Sequence, residues 1–172
     1  FKEDFHKPFV IKGIITRYTE PKLMKKLTEI CCKISKSYNL NGINNLDLIL
    51  EKNSEKIYII ELNGRPGLST NLIFRIHKNI FKYKRFQTNQ DTIRNFYGTE
   101  IIYSNKTLLI DKQRFQFIQS LKNCPSFSEL PRKNLKINKN EPICLIHLQS
   151  KNKKNLKKKL KKLSYKILNN LD

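Results

Sequence analysis

The sequence predicts an α+β fold: an antiparallel sheet with packed helices, followed by a small β-rich module and a C-terminal helix. Three observations carry it. Apolar residues recur at helical spacing over 23–34 and again over 156–171. Two strand-like runs flank the polar stretch 52–55, the pattern of a β-hairpin. From Gly98 onward short apolar runs are punctuated by Pro125, Pro131 and Pro142. The expected domains are 1–80 and 81–172.

Residues 8–18 (PFVIKGIITRY) alternate as a strand, with Phe9, Ile11, Gly13 and Ile15 on one face. Thr19 or Glu20 opens the cap region of a helix, with Pro21 near its first position. Leu23, Met24, Leu27, Ile30, Cys31 and Ile34 form its apolar stripe, and Asn39-Leu-Asn-Gly42 should end it near Tyr38. Strands follow at Asn45–Glu51 and Lys56–Asn63, then a glycine-rich turn, Gly64-Arg-Pro-Gly67. Ser69 or Thr70 can cap a helix over about 70–80. Residues 81–95 read as linker or irregular helix. Strands are expected at Thr99–Tyr103, Thr107–Ile110 and Ile143–Leu148. The last helix starts near Asn152, with Leu156, Leu160, Leu163, Ile167 and Leu171 on one stripe and Lys around the rest.

The 172 residues carry a net charge of +21, from 35 Lys and Arg against 14 Asp and Glu. No run approaches a membrane span. Four cysteines without a C-x-x-C spacing give neither a disulfide scaffold nor a zinc ribbon. Ile, Lys and Asn number 22, 28 and 19, a bias toward residues with AT-rich codons that accounts for part of the charge without any partner. Over a third of the excess, +8, falls in residues 151–172. The chain opens on Phe1 and runs at once into patterned residues, which reads as a fragment. A cytoplasmic protein is expected.

The hairpin carries the chemistry. Glu61 and Asn63 are two apart on a strand and point to one face. If the hairpin pairs residues summing to 108, Asp47 lies opposite Glu61; a sum of 107 puts it on the other face. In the first register Asp47, Glu61 and Asn63 form an oxygen-rich cluster suited to Mg²⁺, which takes few protein oxygens and completes its shell with water and phosphate. Arg65 could set a planar cation where a phosphoryl oxygen would sit. Gly64 and Gly67 let the backbone turn sharply and approach a ligand.

Asn41-Gly-Ile-Asn-Asn-Leu-Asp47, the short hairpin, and Ile60-Glu-Leu-Asn-Gly-Arg-Pro-Gly67 resemble the C-terminal half of the ATP-grasp fold, whose pattern there is D…E-x-N-P-R-P-G. Gly64 stands where that family has Pro. The resemblance implies an ATP-dependent ligase joining a carboxylate to an amine through an acyl-phosphate. Asp47, Glu61 and Asn63 would bind Mg²⁺ (or Mn²⁺) bridging the phosphates of ATP. Glu61, Asn63 and Arg65 would form part of the nucleotide site, and Arg65 would stabilise the transferring phosphoryl group. Phe9–Tyr18, Tyr97–Tyr103 and Asn140–Cys144 extend the likeness. It is greatest to ATP-grasp ligases linked to tetrahydromethanopterin or methanofuran one-carbon metabolism. The half of that fold that closes over ATP would precede Phe1, so the chain alone is expected to be inactive.

Other candidates are weaker. Cys144 and His147 fall on opposite faces of their strand, which argues against a Cys–His nucleophile pair. Cys31 reads as core. Ser69 and Thr70 could touch phosphate or simply cap a helix. Two other classes stay open: a basic module for nucleic acid or a membrane surface, resting on the Lys/Leu helix, and a grasp-like scaffold without catalysis. No nucleic-acid-binding signature is present and the aromatics are dispersed, so the expected partners are ATP, a small carboxylate and an amine, with no specific nucleic acid.

Overall fold

The computed structural model describes residues 10–16, 19–51, 54, 56–76 and 95–172. Strand β1 is Gly13–Ile15, helix α1 Pro21–Ser37, strand β2 Asn45–Leu50, strand β3 Ile57–Asn63 and helix α2 Leu68–Ile76. Then come β4 (Phe96–Tyr103), β5 (Leu108–Leu109), α3 (Lys112–Leu121), β6 (Phe127–Ser128), β7 (Lys136–Ile137), β8 (Pro142–Ser150) and α4 (Lys153–Leu171). All strand pairs are antiparallel, so the class is α+β. The chain divides into two compact units, 17–86 and 1–16 with 87–172. Strand β1 lies well before the division expected at 80/81, yet it pairs with β4.

In the unit 17–86, α1 begins as its sequence dictates. Pro21 follows Glu20 at the helix start, where a missing N–H costs nothing. At the other end Asn39 takes a left-handed φ of 49°. The Leu40 N–H then bonds the Ser35 carbonyl at 2.9 Å and the Asn39 N–H bonds that of Lys36 at 3.4 Å, a Schellman closure. The stripe of α1 is shallower than expected. Leu23, Leu27, Ile30 and Ile34 are half-buried, Met24 and Cys31 are exposed, and no α1 residue is fully buried. Cys31 is therefore not core. Among the described residues of this unit, only Thr70 and Leu72 on α2 are fully buried.

The other unit holds a four-stranded sheet in the order β1-β4-β8-β6, with β5 and β7 as a separate two-residue ribbon. Its core is dense: Ile102, Ile110, Ile118, Ile146, Leu156, Leu160, Ile167 and Leu171 are each at most 1% exposed. The α4 stripe is buried as its spacing predicts, except that Leu163 is half-buried. Gly98 lies where α4 packs tightly on the sheet. A Cβ there would lie 3.1 Å from Leu160 Cδ1, 3.2 Å from Leu156 Cδ2 and 3.3 Å from Ile15 Cγ1.

Several elements depart from the sequence reading. Of the strand expected over 8–18, the described part is extended in a ladder only at Gly13–Ile15. Helix α2 starts at Leu68, two residues early; positions 77–80 of the expected helix and 81–94 of the expected linker lie outside the described residues. Helix α3 was not foreseen. Its signal was Asp111, whose side chain accepts from the Arg114 N–H at 2.9 Å, ahead of Phe115 and Ile118 at helical spacing. Arg114 in turn donates to the Leu171 carbonyl at 2.6 Å and to that of Asp172 at 3.1 Å, satisfying the end of α4.

Gly98→Val should lower stability by about 1–3 kcal/mol, because three branched side chains must give way at once. Urea denaturation followed by circular dichroism measures it, and an unchanged midpoint would show that the α4 contact is loose.

Candidate functional site

The β2–β3 hairpin uses both registers that its sequence allows. Near the turn, Leu50 pairs Ile57, Ile49 pairs Tyr58 and Leu48 pairs Ile59; beyond a β-bulge, Asp47 pairs Glu61, Leu46 pairs Leu62 and Asn45 pairs Asn63. Ile60 is the extra residue. It resets the parity of β3, so Asn45, Asp47, Glu61 and Asn63 share a face, and Leu46 and Leu62 meet on the other.

The sharing of that face follows the burial. Leu46, Leu48, Leu50, Ile57 and Leu62 are half-buried on one side of the hairpin, while Asp47 and Glu61 are exposed on the other. Two carboxylates directly opposite each other across an antiparallel pair repel. Among the described residues neither is ion-paired. No cluster of three or more His, Cys, Asp and Glu occurs among the described residues.

Asn45 was missed by sequence reasoning. Its amide nitrogen donates to Asp47 Oδ1 at 2.8 Å, and its oxygen accepts from Ser69 Oγ at 2.7 Å. It thereby fixes the Asp47 carboxylate and ties β2 to the first turn of α2. The available signal was its position two residues before Asp47, on the same strand face. Ser69 is therefore engaged in the hairpin and is not a helix cap. Thr70 sits at the third position of α2 and accepts from the Gly67 N–H at 3.1 Å, reaching back to the helix start. Gly67 sits in a close approach: a Cβ there would lie 3.0 Å from Asn45 Cγ. Arg65 stands on the exposed turn beyond β3, two residues past Asn63. The structure thus brings Asp47, Glu61 and Asn63 to one face and sets Arg65 at its end.

Cys144 and His147 point to opposite faces of β8, as expected. Cys144 is 2% exposed and burial pushes its thiol up to about 12, so it offers no thiolate at neutral pH. His147 is buried instead among hydroxyls, with Thr99 Oγ1 at 2.9 Å from Nδ1 and Ser128 Oγ at 2.7 Å from Nε2.

The fold is similar to that of several solved enzymes. The chain aligns with the L-amino acid ligase of Bacillus licheniformis at a TM-score of 0.61 and 14% identity, covering 90% of this chain and 43% of that one. N5-carboxyaminoimidazole synthase of Aspergillus clavatus, solved with ADP and 5-aminoimidazole ribonucleotide, gives 0.60 and 13%, covering 93% and 44%. In sequence, a D-alanine–D-alanine ligase of Prochlorococcus marinus (strain AS9601) is 36% identical over 63 residues, 37% of this chain and 18% of that protein. An uncharacterized protein of Methanocaldococcus jannaschii is 25% identical over 153 residues, 83% of this chain and 36% of its own length. No family model matches. The chain spans less than half of each of these proteins.

Two outcomes test the local geometry. Gly67→Ala should displace Asn45, break its bond to Ser69 and cost about 1–3 kcal/mol in a denaturation midpoint; no shift would mean the turn yields freely. At pH 8 a thiol reagent should modify the exposed Cys31 and Cys32 quickly and Cys144 only on unfolding, read by mass spectrometry of the labelled peptides.

Proposed function

We propose that the hairpin face Asp47, Glu61 and Asn63, with Arg65 at its end, is the metal and phosphate wall of an ATP-dependent carboxylate–amine ligase. The single observation that carries this reading is the register of the bulged hairpin, which sets Asp47 opposite Glu61. The fold shared with ligases supports it independently. Asp47, Glu61 and Asn63 would hold Mg²⁺, which when bound offsets the charge of the ATP phosphates. Asn45 would act as a positioning residue, holding the Asp47 carboxylate through its amide. Arg65 would donate to an oxygen of the transferring phosphoryl group, where charge must be stabilised at the moment of transfer.

The reaction of this class balances simply. A substrate carboxylate oxygen attacks the γ-phosphorus and ADP leaves; an amine nitrogen then attacks the acyl carbon of the acyl-phosphate and phosphate leaves. The chain's own residues contribute electrostatics and placement, with no covalent step on the protein. The acid and amine are proposed to be small. The narrower likeness to ligases of tetrahydromethanopterin- or methanofuran-linked metabolism is kept as the finer form of this proposal, supported by residues 97–103 and 140–144. Because the chain spans under half of the ligases it resembles, turnover is proposed for the full-length gene product and not for these 172 residues alone.

The test uses that full-length product. Asp47→Asn and Glu61→Gln should each cut Mg-dependent ADP formation by about a hundredfold or more, and Arg65→Ala by a similar factor, with circular dichroism unchanged. Asn45→Ala should lower activity less and raise the Mg²⁺ concentration needed for half-maximal rate. Wild-type turnover in the Asp47 and Glu61 variants would sink the assignment.

A further inference from the structure

Helix α4 carries a second surface that the ligase reading does not use. Its apolar residues Leu156, Leu160, Ile167 and Leu171 are at most 1% exposed and belong to the core. A basic amphipathic helix attaches to lipid by inserting that face, and here the face is already occupied. What remains outward is charge.

Nine of the chain's 28 lysines lie in the last 22 residues, with Asp172 the one acid among them. Codon drift toward Lys acts along the whole chain and does not produce an about threefold local excess. The arrangement is also unfavourable by itself: Lys154 and Lys158, Lys158 and Lys162, and Lys162 and Lys166 are like-charged neighbours one turn apart. A bound polyanion relieves that repulsion.

The surface has shape as well as charge. Lys159, Lys162 and Lys166 border an open groove of about 640 Å³ whose walls include Leu148, Leu163 and Tyr165. Leu148 comes from β8, so the groove is invisible in the helix sequence alone. Tyr165 is 57% exposed, with Lys161 Nζ 6.0 Å from its ring centroid. Cations spaced along a helix, bordering apolar walls and an exposed aromatic ring, match a strand that offers phosphates and unpaired bases together. A duplex hides its base faces, and an acidic peptide supplies no regular planar rings. We infer that the groove of α4 binds single-stranded nucleic acid without sequence preference, independently of the ligase site.

The experiment uses the intact 172-residue chain and a fluorescein-labelled 12-nucleotide oligo(dT), read by anisotropy. Binding should weaken about twentyfold between 50 and 200 mM salt, the value for about three phosphate contacts. The combined change Lys159→Glu, Lys162→Glu and Lys166→Glu should abolish binding, with circular dichroism confirming the fold. Tyr165→Ala should weaken it about tenfold and Tyr165→Phe should restore it. No binding at 50 mM salt overturns the inference. So does an unaffected Tyr165→Ala, which reduces the surface to bare ion exchange, and so does tighter binding to heparin, to a duplex 12-mer or to phosphatidylserine vesicles.

Discussion

The arrangement of the candidate site depends on one inserted residue. Without the bulge at Ile60, the register near the turn would continue and Asp47 would face Ile60, while Glu61 would fall opposite Leu46. Each carboxylate would then share a face with apolar side chains, and Leu62 would be turned away from Leu46 and Leu48. The bulge resolves both conflicts at once, pairing Leu46 with Leu62 and Asp47 with Glu61. A local defect in the ladder is thus what concentrates two like charges at a single position, and that concentration suits the hairpin to a cation.

Around that position the supporting contacts are few and specific. Asn45 spends its donor on Asp47 and its acceptor on Ser69, so one side chain links the carboxylate to the first turn of α2. Gly67 makes room for it, and Thr70 closes the helix start behind Gly67. The described residues of this unit bury little apolar surface beyond Leu72, so the placement of the site rests on hydrogen bonds and register more than on a deep core. The C-terminal unit is organised the opposite way, with β8 buried from Ile143 to His147 and α4 closing over it.

What the sequence made legible follows from range. The ends of α1, the α4 stripe, and the two hairpin strands are encoded locally, by Pro21, by Asn39, by 3.6-residue spacing and by the polar stretch 52–55 between two apolar runs. The resemblance carried by residues 41–47 and 60–67 led to a fold that the solved ligases share. The bulge was legible only as a choice between two registers, because a one-residue insertion is decided by which leucines become buried. Asn45 was missed although Asp47 lies two residues on, because the contacts that single it out, Ser69 and the close approach of Gly67, are more than twenty residues away in sequence. Half of the β5–β7 ribbon was legible: β5 falls within the strand expected at Thr107–Ile110, whereas β7, only Lys136 and Ile137, is too short for an alternating pattern to show.

The charge of the chain acts at a different range from the site. A net +21 produces a field that favours anions and opposes free cations, but screening limits it to about 10 Å at moderate salt. The Asp47–Glu61 pair acts at contact distance, where its own two charges dominate. The two effects therefore do not cancel. The distant field favours arrival of a polyphosphate, and the near field favours the cation that a polyphosphate carries with it. On the proposed reading, a nucleotide complexed to its own metal would satisfy both, whereas a bare divalent ion would approach against the lysines. The few acids of this chain matter because the bulge places two of them together, and the many lysines bias which charged species reaches them.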